Sequence, residues 1–325
     1  MRKISVVVTA GKLNEEVARL VKSLEAQSLK PFEVIIVTPF EGDCKGILER
    51  NALHIKIITL RRDPGPILSR IFGGLASSGD LVAFIDSDCI APPNWLESMS
   101  RDMREYGVDV VAGSVVGINR EKMLARLQEY SLISPNPKYR EKRVVTGDLG
   151  LNLVVTANML LKKEVLYSED VFPPGYGRLG FEDIDFITRI LRAGYRVLLS
   201  TTHVYHYNRT SLTRILKRFY EYGGGLPLYR RSCPGSFYGK AVASLVFLLL
   251  MLLVASTILI ITGHIISGLA VGLAPLLTLY SYHAVRTRPF KPEVLLYPPV
   301  EYLLAIAATL GVLVRELKLV LRGGE

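Results

Sequence analysis

Leu81-Val-Ala-Phe-Ile-Asp-Ser-Asp-Cys89 is the stretch on which the fold is read. Its five apolar residues are too few for a helix, and Ser78-Gly-Asp80 and Ala91-Pro-Pro93 bound them. That pattern predicts a buried strand. The strand ends in two carboxylates, Asp86 and Asp88, spaced i and i+2. On an extended backbone that spacing points both side chains the same way. Ligands collect at the carboxyl ends of strands in open α/β sheets. Paired carboxylates there suit a hard divalent cation such as Mg²⁺ or Mn²⁺, which in turn holds phosphate oxygens. Taken alone, Asp-x-Asp reads rather as a polar turn, with Asx-turns ahead of the prolines.

The flanking chain supplies the context. Ile4 to Val8, Glu33 to Val37 and Ile55 to Leu60 are apolar runs that predict buried parallel strands. Asn14 can cap a helix with Glu15 and Glu16 in its first turn, and Val17, Leu20, Val21 and Leu24 form one apolar face. Residues 66–77 read as a helix. A further helix opens at Pro92-Pro93, with Trp95, Leu96, Met99 and Met103 inward. Val108 to Val116 and Leu153 to Leu161 read as strands, with a polar, irregular stretch at 117–150 between them. Glu182 to Ala193 is a helix closed by Gly194, and Tyr195 to Leu199 a last strand. Strands alternating with helices predict an α/β sandwich with a largely parallel sheet.

The chain has 325 residues, a formal net charge of +10 and 49 % hydrophobic residues, the apolar excess lying after residue 240. Lys and Arg cluster beside apolar segments, which favours anionic lipid head groups over nucleic acid. Three scattered cysteines, Cys44, Cys89 and Cys233, predict reduced thiols rather than a disulfide framework or a zinc site. Leu212, Ile215, Leu216 and Phe219 form an apolar stripe opposite Arg214, Lys217 and Arg218. That stripe fits a helix lying in a membrane surface or one packed on the domain. Ala241 to Thr262 is a run of 22 uncharged residues, and Ile265 to Val285 is a second uncharged run. A spanning helix needs about 20 residues. Arg230, Arg231 and Lys240 precede the pair, and Arg286, Arg288 and Lys291 follow it. The positive-inside rule therefore puts both ends, and the N-terminal domain, in the cytoplasm. Val294 to Val314 reads as a third span, although it holds Pro298, Pro299 and Glu301.

A second acidic group, Phe181-Glu-Asp-Ile-Asp-Phe186, opens a helix behind the loop Pro173-Pro-Gly-Tyr-Gly-Arg-Leu-Gly180. Carboxylates in a first helical turn often serve only the helix dipole. His203-Val-Tyr-His206 follows the last strand. Taken in order, Asn14-Glu15-Glu16, Ser69-Arg70, Gly79-Asp80, Phe84-Ile-Asp-Ser-Asp88, Thr156-Ala-Asn158, Glu182-Asp183, Asp185, Arg189 and His206 resemble the family 2 glycosyltransferases. The resemblance covers roughly residues 4–206 and implies a GT-A-type nucleotide-sugar-binding α/β sandwich, with a C-terminal helical transmembrane region. It makes residues 1–210 the catalytic domain, 211–239 an amphipathic interfacial segment and 240–325 a transmembrane region of two or three helices. It implies Asp183 as general base, with Glu182 in support. Asp88 and His206 would be ligands of Mg²⁺ or Mn²⁺, with His203 the rival histidine. Substrate contacts would fall on Asp86, Arg70, Thr9, Asp43 and Asn158. The reaction it implies is an inverting transfer from a UDP- or GDP-sugar to a lipid-linked acceptor, by a multi-pass protein of the cell membrane whose catalytic domain is cytoplasmic.

The sequence also departs from that family. The first strand runs into Val8-Thr-Ala-Gly-Lys-Leu-Asn14, two residues longer than usual. The second strand ends Val37-Thr-Pro-Phe-Glu-Gly-Asp43, where the family has a carboxylate at Thr38, so Glu41 or Asp43 would substitute. This leaves the base preference open between UDP and GDP. A processive polysaccharide synthase would carry Gln-x-x-Arg-Trp after the base, and the single tryptophan, Trp95, lies far upstream. A membrane-anchored sugar-nucleotide-binding protein without catalysis is the alternative of another class. A nucleotidyltransferase would need a Gly-rich, Arg-containing loop after the first strand, for which Gly11-Lys12 is too little.

Overall fold

The computed structural model describes residues 2–40, 52–286 and 292–322, and the chain divides into two compact units. The first holds residues 1–118, 136–178 and 182–207. Its core is a sheet whose parallel part is β1 (Ile4–Thr9), β2 (Glu33–Thr38), β3 (Ile55–Thr59) and β4 (Leu81–Asp86), side by side in the order β3-β2-β1-β4. β1, β2 and β4 are buried along nearly their whole length, which explains their unbroken apolar runs.

Beyond β4 the sheet turns mixed. With β5 (Cys89–Ile90), β6 (Val110–Gly117), β7 (Arg143–Val145), β8 (Asn158–Lys162) and β9 (Val197–His206), it continues β4-β8-β6-β9-β5, and β7 also pairs with β9. β8 runs antiparallel to both its neighbours, so the expected largely parallel sheet is corrected to a mixed one. The strand expected from Leu153 starts only at Asn158, opposite Ile85, because the adjoining β4 ends one residue further on, at Asp86. The last strand runs on to His206 rather than stopping at Leu199.

Among the described residues, four helices flank this sheet: α1 (Glu15–Glu25), α2 (Pro66–Leu75), α3 (Trp95–Tyr106) and, in chain order after α4 (Met123–Tyr130) of the second unit, α5 (Glu182–Arg192). Asn14 caps α1, its Oδ1 accepting from the backbone N–H of Glu16 and Val17. Val17, Leu20, Val21 and Leu24 are fully buried. Each is worth roughly 1.5–3 kcal/mol, against about 1 kcal/mol for the cap. The packed face therefore holds the helix, and the cap sets where it starts. Cys89 is a buried free cysteine whose thiol is pushed well up by burial and by the nearby Asp86 and Asp88 carboxylates. Cys44 and Asp43 lie outside the described residues.

The second unit gathers residues 119–135, 179–181 and 208–325. The stretch 117–150, expected to be irregular, contains α4 here and β7 in the first unit. α4 is short, and long-range partners hold it: Glu129 Oε1 accepts from Asn208 at 2.9 Å, and the Gln128 amide donates to Arg209 O at 2.7 Å. The helices that follow are α6 (Leu212–Ser232), α7 (Phe237–Ile261), α8 (Ile265–Arg286) and α9 (Tyr297–Arg322). Ile215 and Phe219, from the amphipathic stripe of α6, are buried against Leu304 of α9. The described residues contain two helices long and apolar enough to cross a membrane, α7 and α8. The 25 residues of α7 reach about 37 Å, more than the roughly 30 Å of a hydrocarbon core. The third apolar stretch becomes α9, on which Glu301 is 1 % exposed, bonded to His283 at 2.6 Å and to Ser131 at 2.7 Å. A buried carboxyl held that way belongs to a packed helix face.

Candidate active site

The carboxyl ends of β1 and β4 lie side by side, with Thr9 opposite Asp86 in the register. The strand stops at Asp86, and Asp88 sits in the turn that follows. The i, i+2 rule of an extended chain therefore no longer applies, and the two aspartates take different partners. Asp86 Oδ1 accepts from Arg70 Nη2, whereas Asp88 Oδ2 faces His206 Nε2 at 3.3 Å. The second contact follows from the pairing of β5 with β9, which puts Cys89 opposite His206. His203 lies against the Tyr205 ring, centroids 5.0 Å apart, so of the two histidines His206 is the one brought to Asp88.

Arg70 ties the two acidic groups together. It projects from α2 and is only 4 % exposed. Besides Asp86, its Nη1 lies 3.7 Å from Asp183 Oδ1 in the first turn of α5. Burial alone would lower its pKa, but the carboxylates of Asp86, Asp183 and Glu182 outweigh that and hold it above the usual arginine range. Two of its nitrogens, Nε and Nη1, are buried without a hydrogen-bond partner. Buried guanidinium N–H groups normally find acceptors, so this one has donors to spare for an anionic ligand.

Asp183 accepts a hydrogen bond from the Thr156 hydroxyl. Burial pushes its carboxyl above the ordinary aspartate value, Arg70 and Thr156 pull it back down, and Asp86 pushes it up again. Its side chain keeps 24 % of its surface exposed. A raised, partly open carboxylate suits a proton acceptor. Glu182 is 5 % exposed beside it.

The remaining expected residues separate. Asn158 is fully buried; its amide donates to Ser114 O at 2.8 Å and Thr202 O at 3.0 Å and accepts from the Trp95 indole at 2.8 Å. These bonds join β8 to β6, β9 and α3. Asp185 is buried too, bonded to Tyr176 Oη and to Arg189 Nε at 2.6 Å each, so it fastens the Gly/Pro-rich loop to α5. Sequence reasoning missed Thr156 as the partner of Asp183, and missed Arg70 as the hinge between the two acidic groups. An arginine inside an otherwise apolar helix was the available signal for the second.

Asp88 and His206 offer one carboxylate oxygen and one imidazole nitrogen at the same point. Among the described residues, no three or more His, Cys, Asp and Glu side chains converge as a metal cluster. A Mg²⁺-type cation is commonly bound by one or two carboxylates plus substrate phosphates, so the donor set fits a cation that arrives with a phosphorylated ligand.

Residues 5–168 match the family described as Glycosyl transferase family 2. Glycosyltransferase AglE of Haloferax volcanii is 22 % identical over 236 residues, 68 % of this chain and 72 % of that protein. The glucosyl-dolichyl phosphate glucuronosyltransferase of the same organism is 32 % identical over 121 residues. That match covers 35 % of this chain, which spans only 38 % of that relative's length. Among solved structures, S. aureus TarS 1-349 in complex with UDP-GlcNAc superposes with a TM-score of 0.52 at 17 % identity, covering 99 % of this chain and 92 % of that one. That likeness concerns the fold, and it bears out the expected GT-A-type α/β architecture.

Proposed function

The chain belongs to glycosyl transferase family 2, and from that premise we propose that it is an inverting glycosyltransferase moving a sugar from a nucleotide donor to a lipid-linked acceptor. The observation that carries the proposal is the buried Arg70, which links Asp86 to Asp183 while its Nε and Nη1 make no hydrogen bond. The donor's diphosphate would lie against those donors and Asp86. Thr9, opposite Asp86, lines the same edge.

Asp183 takes the proton from the acceptor hydroxyl. The freed oxygen attacks the anomeric carbon from the side opposite the nucleoside diphosphate. The bond from that carbon to the diphosphate oxygen breaks, and the configuration inverts. Glu182 holds the acceptor or orients Asp183. Asp88 and His206 would hold a Mg²⁺ or Mn²⁺ ion, whose chemistry is to neutralise charge on the departing diphosphate. The UDP-GlcNAc in the TarS complex supports a UDP-sugar donor. The name of the dolichyl-phosphate relative supports a polyprenyl-type acceptor. An acceptor of that kind stays in the bilayer, which gives α7 and α8 their purpose as spanning helices. The basic residues Arg230, Arg231, Lys240 and Arg286 at their ends support a cytoplasmic active site.

The test is nucleoside diphosphate release by the detergent-purified full chain over a panel of UDP- and GDP-sugars, with polyprenyl phosphate, in Mn²⁺ or in EDTA. The expected outcome is metal-dependent release from one donor. Asp183→Asn should lower turnover by about 10²–10⁴-fold with donor binding kept. Wild-type turnover in that variant would remove Asp183 from its role. Donor binding without turnover under every condition would favour the sugar-nucleotide-binding protein.

A further inference from the structure

β8 runs antiparallel to β4, with Asn158 opposite Ile85. Its beginning therefore lies beside the end of β4, where Asp86 stands. A parallel strand in the same place would begin at the far edge of the sheet. The reversed strand is thus the reason that Thr156, two residues before β8, reaches the carboxyl edge. Thr156 is 0 % exposed there, and its hydroxyl donates to Asp183 Oδ1. Arg70 Nη1 lies 3.7 Å from the same oxygen. Thr156, Arg70 and Asp183 all belong to the first unit.

The start of β8 is itself anchored. The Asn158 amide donates to Ser114 O at 2.8 Å and to Thr202 O at 3.0 Å, and it accepts from Trp95 Nε1 at 2.8 Å. Gly113 leaves the room for it, since a Cβ there would lie 2.1 Å from Asn158 Nδ2. Thr156 therefore hangs from a fixed point two residues on. A buried hydroxyl that loses its acceptor is costly, so the bond to Asp183 holds both partners in place.

We infer that Thr156 is a positioning residue for the proposed reaction: its buried hydroxyl, brought to the site by the antiparallel β8, holds Asp183 by Oδ1 in the orientation that meets the acceptor hydroxyl. The inference rests on the reading of Asp183 as the base. Being fully buried, Thr156 acts through Asp183 and not on the acceptor. Proton transfer needs hydrogen-bond reach, and a misplacement of about 1 Å can lower rates about 10²-fold. The hydroxyl also acts on charge, with a definite sign. Together with Arg70 it draws the Asp183 carboxyl down, against burial and the Asp86 carboxylate. Without it that carboxyl rises, and the base is lost at a higher pH.

The test compares Thr156→Val, Thr156→Ser and Asp183→Asn in the full chain in detergent, using the UDP- or GDP-sugar that the wild type turns over with polyprenyl phosphate. Valine keeps the shape of threonine and lacks the hydroxyl. Thr156→Ala, which removes the hydroxyl and adds no methyl, carries the same expectation if the valine variant does not fold. The expected result is a kcat lower by about 10- to 100-fold, a donor KM little changed, and an acid limb of the kcat–pH profile moved to higher pH. Thr156→Ser keeps the hydroxyl and should return kcat and the acid limb to wild type. An unchanged kcat and acid limb in Thr156→Val would overturn the inference. So would a Thr156→Ser variant that behaves like Thr156→Val, because packing rather than the hydroxyl would then decide. If Asp183→Asn is inactive while Thr156→Val turns over normally, the inference alone fails. Wild-type turnover in Asp183→Asn would instead bring down the reading on which it rests.

Discussion

At the N-terminal edge of the sheet, Glu33 is buried with its neighbours arranged to keep it charged. At the C-terminal edge, Arg70 is buried among carboxylates with nitrogen atoms left over. Glu33 Oε1 accepts from Ser5 Oγ at 2.8 Å and from the Ser78 N–H at 2.5 Å, and Oε2 faces Lys56 Nζ at 2.9 Å. Burial would raise its pKa, but these partners win and hold it below the usual glutamate value. At the other edge burial wins, and Asp183 is raised. Both edges bury charge. Glu33 meets protein donors at both oxygens, Oε1 through two hydrogen bonds and Oε2 through an ion pair alone, whereas Arg70 Nε has neither and Nη1 has only a 3.7 Å ion pair. Unspent capacity lowers stability and is useful only if a ligand takes it up, so the contrast sets the end that holds the fold against the end proposed to do the chemistry.

The strongest way to break this contrast is Arg70→Met. It leaves Asp86 and Asp183 facing each other without the intervening cation. Removing one partner of a buried pair costs about 3–5 kcal/mol. Asp86 and Asp183 keep 31 % and 24 % of their side-chain surface exposed, so solvent screening puts the expected loss at the low end, about 3 kcal/mol. Because Arg70 lowers the Asp183 pKa, its removal should raise it further. The acid limb of the kcat–pH profile would then move to higher pH. Thermal melting reads the first effect and the pH profile the second. A variant that melts like wild type would show that Arg70 is not held between the two acids.

Glu33→Gln probes the opposite edge. It should cost about 1–3 kcal/mol and leave kcat unchanged. The pH dependence has a definite sign. The folded-state pKa is depressed, so this stabilisation is present above the ordinary glutamate value and is lost as pH falls through that value toward the lower folded one. The melting-temperature gap between wild type and variant should therefore be widest near neutrality and narrow under acid. A gap that widens under acid would reverse the assignment.

The parallel half of the sheet was legible because strands buried on both faces must be apolar throughout, as in Ile4–Val8 and Leu81–Ile85. The helix behind Asn14 was legible because cap and apolar face are local signals. What escaped was set by distant partners. α4 is held by Asn208 and Arg209, about eighty residues along the chain. The bonds of the Asn158 amide to Ser114, Thr202 and Trp95 likewise join residues distant in the chain. The spacing of Asp86 and Asp88 was read correctly, but their orientation depended on where β4 stops. Arg70 illustrates the limit most plainly: a buried cation makes sense only with its counter-charges, and those lie sixteen and 113 residues further on.

Asn14→Ala gives the smallest expected effect and the finest test of the distinction. Asn14 follows β1 on the functional side of the sheet and belongs to the Asn14-Glu15-Glu16 series that pointed to the family. By position it belongs with Arg70. By bonding it belongs with Glu33, since its Oδ1 is taken by the Glu16 and Val17 N–H groups and its Nδ2 by the Glu16 carboxylate. If spent hydrogen bonds mark structural residues, the variant should lose about 1 kcal/mol. That is a shift of about 2–4 °C in melting temperature for a domain of this size, with kcat and donor KM unchanged. A fall in kcat with little loss of stability would mean that position at the edge, rather than unspent bonding capacity, decides which residues serve the reaction.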